Sequence, residues 1–345
     1  MNAALLTGIG SFEIRQVPEP VIRRDTDVLV RIAAVGVCGS DVHYFTHGRI
    51  GSQVVSFPFV IGHEAAGTVV DTGSSVETVR AGERIAIDPA MPCGHCDQCS
   101  AGREHTCRTL RFMGTPGQME GSLAEYVVIP ERSCYPVPDN VPFDEAALCE
   151  PLAIAVYAVE RSHSDEGCAV AILGAGPIGM SVLHVLRTTS VGKVYVTDRI
   201  GDRLAFAASL RPAWCGNPER DDVIGEVSAR EPLLLDVVYE CSGDPAALRQ
   251  GIELLKPGGR LVIIGIPAGD EISLPVHELR RKELTITSIR RQVRCTGKAI
   301  DLVAARRVNL APMATHHFGL AQTQEAFELV AGYRDGVMKA IISVT

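Results

Sequence analysis

From about residue 168 the chain alternates short apolar, β-branched runs with stretches of helical period. Before that, residues 1–150 break into brief β segments punctuated by Gly, Pro and Asp. In the first part Val28–Val37, Ala65–Asp71 and Arg84–Asp88 read as strands. In the second part Val170–Leu173, Lys193–Thr197, Leu234–Glu240 and Arg260–Ile264 read as strands. Gly179–Thr188, Arg203–Leu210 and Pro245–Leu255 read as the helices between them. Such alternation from 168 to 289 predicts a doubly wound parallel sheet, because parallel strands need a crossover, usually helical. The last fifty residues return to mixed structure and end in a strand candidate, Ala340–Val344. The expected organisation is a β-rich domain at 1–150, a dinucleotide domain at 151–289, and a return to the first domain at 290–345.

Composition narrows the classes. A chain of 345 residues with 46 % hydrophobic and 21 % charged residues can build two sizeable cores. Its formal charge of −8 argues against nucleic acid or an anionic membrane as partner. The start, Met1-Asn-Ala-Ala-Leu-Leu6, lacks the basic residues and apolar run of a signal peptide. The most apolar stretch, Cys168 to Leu186, is broken by three glycines, Pro177 and His184, and so does not read as a membrane span. Of eleven cysteines, four crowd into fifteen residues, which suits metal better than disulfides and points to a reducing cytoplasm.

Three constellations carry candidate chemistry. The first is Gly174-x-Gly176-x-x-Gly179, which follows a strand and opens a helix. Gly174 permits the tight turn, Gly176 lets backbone approach a pyrophosphate, and Gly179 lets helix and strand pack closely. The helix start offers free N–H groups to phosphate, and Pro177 and Ile178 there are expected beside the cofactor. Asp198 closes the next strand nineteen residues after Gly179, where an acidic side chain accepts from ribose hydroxyls and favours NAD. Arg199 follows it and could instead accept a 2′-phosphate. The second is Cys93-x2-Cys96-x2-Cys99-x7-Cys107. Four thiolates close a tetrahedral zinc shell and leave no open position, so this reads as a structural site. His95 and His105 within the loop are expected to face solvent. A zinc ribbon on nucleic acid would want a basic chain, and this one is acidic.

The third is Cys38 with His63 and Glu64, followed by Glu150: a thiolate, an imidazole and carboxylates at the spacing of a catalytic zinc with an open position. A Lewis acid and a hydride carrier on one chain point to alcohol/ketone oxidoreduction.

The segments Gly36-Val-Cys-Gly-Ser-Asp-Val-His43 and Gly62-His-Glu-Ala-Ala-Gly67 resemble those of the medium-chain, zinc-dependent alcohol dehydrogenases. Cys38 to Gly51, Cys149-Glu-Pro-Leu152 and Thr315-His-His-Phe318 are most similar to sorbitol and xylitol (polyol) dehydrogenases. The resemblance implies a GroES-like, β-rich catalytic domain plus a Rossmann domain, with one catalytic and one structural zinc and NAD as cofactor. It implies Cys38, His63 and Glu64 as zinc ligands, with Glu150 acting through water, although related enzymes have a cysteine ligand at the position of Glu150 and Cys149 stands beside it. Asp41 is expected to hold the His63 tautomer, Ser40 to take the first proton, and His43 to pass it on. Tyr44, Phe112, Glu150 and Arg291 are expected to line the substrate pocket. Gln292 stands where animal sorbitol enzymes place tyrosine and is expected to join the pocket as an extra amide donor suited to a shorter or differently configured polyol, and Arg290 adds a charge. Arg203 joins the cofactor residues. The reading is a polyol dehydrogenase making a ketose; the alternatives are a relative acting on a simple alcohol or threonine, and a non-catalytic NAD-binding protein. A homotetramer or homodimer is expected.

Overall fold

A computed structural model describes residues 1–345. The chain divides into two compact units, one formed by Met1–Glu150 with Thr296–Thr345, the other by Pro151–Cys295.

The first unit is built on a seven-stranded sheet. Its strands run in the order Cys134–Pro136, Arg84–Ile87, Glu64–Thr72, Asp27–Gly36, Lys339–Ser343 and Ala314–Gly319, and Tyr126–Pro130 also pairs with Asp27–Gly36. The central strand Asp27–Gly36 buries Val28, Val30, Ile32 and Val35, which explains its near-continuous apolar sequence. Its register with the next strand sets Gly36 opposite Glu64. On the other side Ile341 pairs with Gly36, so the C-terminal strand is laid into the sheet near the place where the N-terminal part carries Cys38 and Glu64.

The second unit is a six-stranded, all-parallel sheet in the order Trp214–Gly216, Val194–Thr197, Val170–Leu173, Leu235–Glu240, Leu255–Ile263 and Thr285–Ser288. In chain order this is 3-2-1-4-5-6, the doubly wound arrangement that binds a nucleotide where the strand order reverses, outside the carboxyl ends of the strands. Val170–Leu173 is buried throughout, and the helices Pro177–Leu186 and Pro245–Leu254 pack against the sheet.

The strands and helices of the alternating region lie within a few residues of their expected limits. The strand at 255–263 is longer than Arg260–Ile264 because Lys256 to Gly259 continue it. Residues 290–295 stay with the second unit, where the expected return began at 290. Ile289 N donates to Ile263 O, Gln292 Oε1 accepts from Cys295 N at 2.8 Å, and Cys295 Sγ lies 3.9 Å from Glu160.

One buried group in this unit gives the fold a pH dependence. His184 sits inside the helix Pro177–Leu186 with Nε2 unpartnered, and burial first, Arg187 second, push its imidazole down to about 4. The unfolded chain binds the proton near 6.5 and the folded one does not. Stability is therefore full above about 6.5 and falls as the pH drops toward 4. His184→Met should lose less stability over that window, by up to about 3 kcal/mol. Denaturant unfolding at pH 7 and pH 4.5 checks this, and parallel losses in parent and variant would contradict it.

Candidate active site

The strand Asp27–Gly36 delivers the chain to Cys38, which caps the helix Gly39–His47, and the turn at Gly62 (φ +98°) delivers His63 to the start of the strand Glu64–Thr72. Ligand atoms of Cys38, His63 and Glu64 all lie within 4.8 Å of one another. Ser40 Oγ donates to Cys38 Sγ at 3.3 Å. Asp41 is fully buried; its Oδ1 lies 3.3 Å from His63 Nδ1 and accepts from Gly62 N. With Nδ1 taken up by Asp41, Nε2 is the ring nitrogen left for a metal. Burial would push the His63 imidazole down, but Asp41 and Cys38 outweigh it and hold it well above its ordinary value. Three sites rich in negative charge around one imidazole are what a cation would neutralise, so the donor set fits zinc.

Lys339, absent from the expected site, completes it. Its Nζ lies 2.7 and 2.8 Å from the two Glu64 oxygens and donates to Val37 O at 3.2 Å. Both side chains are only 2 % exposed. Gly36 makes room for this pair, since a Cβ there would lie 2.4 Å from Glu64 Oε2. The sequence signal was faint: a lysine at the head of an apolar C-terminal strand.

Glu150 begins the helix Cys149–Ser162. Burial raises its carboxyl to about 7; the charges of His63 and Lys339 pull against that, and those of Glu64 and Asp88 add to it. It is therefore electrostatically tied to the cluster. Cys149 is fully buried, burial raises its thiol, and its Sγ donates to Glu145 O at 3.3 Å. His43 is partly exposed, its ring 5.8 Å from that of His47, and burial and then His47 lower its pKa. Phe112 packs on the His63 ring at 5.3 Å. Tyr44 is buried and its hydroxyl donates to Gln53.

The cysteine loop forms a second cluster. Sγ separations are 3.9 Å for Cys93–Cys99, 3.6 Å for Cys96–Cys99 and 3.9 Å for Cys96–Cys107. A tetrahedron with Zn–S of about 2.3 Å has edges of about 3.8 Å, so this cluster also fits zinc. Backbone N–H groups point at the sulfurs: Cys93 N donates to Cys107, and the amides of His95 and Cys96 hold the Cys93 thiol down at about 5. His95 is exposed, as expected. His105 is not: it is buried, because the turn Glu104–Thr106 folds inward between Cys99 and Cys107.

In the second unit the glycine turn has the required shape. Gly174 has φ +103° and a Cβ there would lie 2.8 Å from Ser242 N; at Gly179 it would lie 1.8 Å from Gly174 O. Before Gly176 the nearest group is the tip of Arg203, 3.3 Å from where a Cβ would be. Pro177, Ile178 and Gly179 form the first helical turn, where the N–H groups of Ile178 and Gly179 have no helical partner. Asp198 accepts from Ala175 N at 2.7 Å and from Ile200 N at 2.8 Å, which ties it to the turn. Arg199 is exposed, near Glu219 and Asp244.

Of the remaining expected residues, Arg290 is exposed and Arg291 partly so. Gln292 is buried, and its amide oxygen closes the 292–295 turn. His317 is exposed and His316 partly so, next to Asp144 and Asp335 respectively.

Comparison with known proteins agrees with these features. Residues 24–139 match the alcohol dehydrogenase GroES-like domain, and residues 177–305 match the zinc-binding dehydrogenase domain. The chain is 33 % identical to a sorbitol dehydrogenase of Bacillus subtilis, over 99 % of this chain and 97 % of that one. It is 36 % identical to a probable D-xylulose reductase A of Aspergillus clavatus, over 96 % of each. A putative zinc-binding dehydrogenase from Sinorhizobium meliloti, solved bound to NADP, superposes with a TM-score of 0.91 at 30 % identity, over 99 % of each chain. The β-rich unit with its Cys-His-Glu cluster and cysteine loop, the parallel nucleotide-type unit, and near-full-length identity to these proteins have one explanation: the chain belongs to the medium-chain, zinc-dependent alcohol dehydrogenase family, on the side of the polyol dehydrogenases.

Proposed function

We propose that this protein oxidises a secondary hydroxyl of a sugar alcohol to the ketose, reversibly, with NAD as hydride acceptor. The observation that carries the reading is the Cys38–His63–Glu64 cluster, with His63 and Glu64 buried and Cys38 partly exposed: three donors of the kind that leave a position open, on a chain that also carries a nucleotide turn. The names of the relatives, sorbitol dehydrogenase and D-xylulose reductase, support the polyol class.

Cys38, His63 and Glu64 would hold the catalytic zinc, with Glu150 reaching it through water, and Cys93, Cys96, Cys99 and Cys107 would hold a structural one. Bound there, zinc supplies a Lewis acid that acidifies a substrate hydroxyl, and NAD on the glycine turn supplies the hydride acceptor. The rest is done by the chain. Ser40 Oγ, whose hydrogen lies toward Cys38 in the free protein, would accept the substrate proton only while handing its own hydrogen on, because a doubly protonated hydroxyl is too strong an acid to form. His43, kept neutral by burial, can take that proton from Ser40 and release it to solvent. Asp41 fixes the His63 ring so that Nε2 stays toward the metal position. Gly174, Gly176, Pro177, Ile178 and Gly179 would seat the pyrophosphate, Arg203 beside it, and Asp198 the ribose hydroxyls. Tyr44, Phe112, Glu150 and Arg291 would line the polyol, and Gln292 would act by fixing the turn behind Arg291.

No helix is long and apolar enough to cross a membrane. A cytoplasmic setting suits eleven cysteines, none of them joined in a disulfide. A homotetramer or homodimer is supported by the edge strand Thr285–Ser288, which carries an exposed Ile286.

The test is NADH formation by zinc-loaded protein across a panel of sugar alcohols, simple alcohols and threonine. Turnover confined to one or a few polyols is expected. Activity on a simple alcohol or threonine alone would overturn the substrate class, and NADH binding with silence across the panel would favour a non-catalytic role.

A further inference from the structure

The family tolerates either coenzyme, as the NADP-bound relative shows, so the choice must rest on this chain's own residues. Asp198 favours NAD, yet Arg199 is the kind of neighbour that accepts a 2′-phosphate. The structure disposes of Arg199 in a specific way. Its Nη1 lies 3.8 Å from Glu219 Oε1 and 3.7 Å from Asp244 Oδ2. This arrangement is built into the backbone. The buried Asn217 donates through Nδ2 to Arg199 O at 3.0 Å and accepts at Oδ1 from Glu219 N at 2.9 Å, so one amide fixes the main chain under both residues. Asp244 is fixed independently: its Oδ1 caps the helix Pro245–Leu254 by accepting from Ala246 N at 2.8 Å, which leaves Oδ2 toward Arg199.

We propose that Glu219 and Asp244 are coenzyme-specificity residues: they neutralise Arg199 and so mask a latent 2′-phosphate site. This rests on the NAD reading above and deepens it. With both in place, a 2′-phosphate entering beside Asp198 meets three carboxylates against one guanidinium. Without them, Arg199 is a free bidentate donor of the kind phosphate prefers. NAD, with only a hydroxyl there, is nearly indifferent to the change.

The magnitude follows from solvent-screened charge. Two unit charges about 4 Å apart in water shift an equilibrium by about fivefold, and here two carboxylates leave the neighbourhood of a multiply charged phosphate. Glu219→Gln/Asp244→Asn should therefore tighten NADPH binding by roughly tenfold or more, while NADH affinity moves much less. Asparagine is as good a helix cap as aspartate, so the fold is preserved. Dissociation constants of NADH and NADPH, from titration calorimetry or quenching of the single tryptophan, Trp214, give the readout without turnover. Adding Arg199→Gln to the double variant should erase the gain. An unchanged NADPH affinity in the double variant would overturn the masking, and so would a gain that survives the loss of Arg199. Should the parent bind NADPH as tightly as NADH, the NAD reading itself fails, a result separable from the other two because it is seen before any substitution.

Discussion

Cys38→Ala should lower kcat/KM by at least roughly a thousandfold while NADH still binds with near-parental affinity. Lewis-acid stabilisation is worth several kcal/mol, and each 1.36 kcal/mol is about tenfold. The thiolate is one of only three donors in the cluster, so its loss removes both a ligand and negative charge from the metal position. The nucleotide turn lies in the other compact unit, built from residues that do not include Cys38. The check is steady-state kinetics with the best polyol, zinc content by elemental analysis and NADH affinity by titration. The variant should retain the zinc of the cysteine loop and lose the other. Turnover near the parental rate would remove Cys38 from the chemistry. Joint loss of turnover and NADH binding would mean that the substitution had damaged the fold instead.

Lys339→Met should be among the most destabilising single changes in the first unit. The Lys339–Glu64 pair is sealed from solvent, with both carboxylate oxygens on one ammonium. Removing one member of such a pair leaves a buried charge uncompensated, at about 3–5 kcal/mol. Zinc changes the result in a specific direction, because a dication beside Glu64 supplies the positive charge that the lysine gave. The loss in denaturant-unfolding free energy should therefore be large in chelator-stripped protein and smaller in zinc-loaded protein. Glu64→Gln combined with Lys339→Met should cost less than the sum of the two single changes. Equal losses with and without zinc, or strict additivity, would contradict the picture of Lys339 as the counter-charge of Glu64.

These two residues also show what a sequence can and cannot disclose. Cys38, His63 and Glu64 stood out because metal chemistry needs those side-chain types, and strand–turn segments set them close together. The glycine turn stood out because Gly174 and Gly179 have no space for a Cβ. The four cysteines announced themselves by spacing alone. Lys339 did not, because it meets Glu64 across 275 positions, and only the laying of the C-terminal strand beside Asp27–Gly36 brings them together. Gly36 is of the same kind, since its need for a missing side chain arises from the register that sets it opposite Glu64. His105 was expected in solvent because four cysteines already fill the metal shell, whereas the closure of the cysteine loop turned it inward. Gln292 reads in the sequence as an amide donor for substrate, and the contact its oxygen accepts from Cys295 N is a turn detail that the sequence did not show. The strands and helices were legible from periodicity because core burial dictates that pattern. The side-chain networks were not, because they depend on pairings between segments that are far apart in the chain.

The most direct single measurement is a zinc titration of chelator-stripped protein held with NAD and a polyol, following NADH. The account predicts almost no NADH before zinc is added. It predicts turnover that rises with zinc and saturates once the Cys38–His63–Glu64 cluster is filled, with Cys38→Ala flat throughout. NADH formation that is already full in stripped protein, or a Cys38→Ala variant that responds to zinc like the parent, would contradict it.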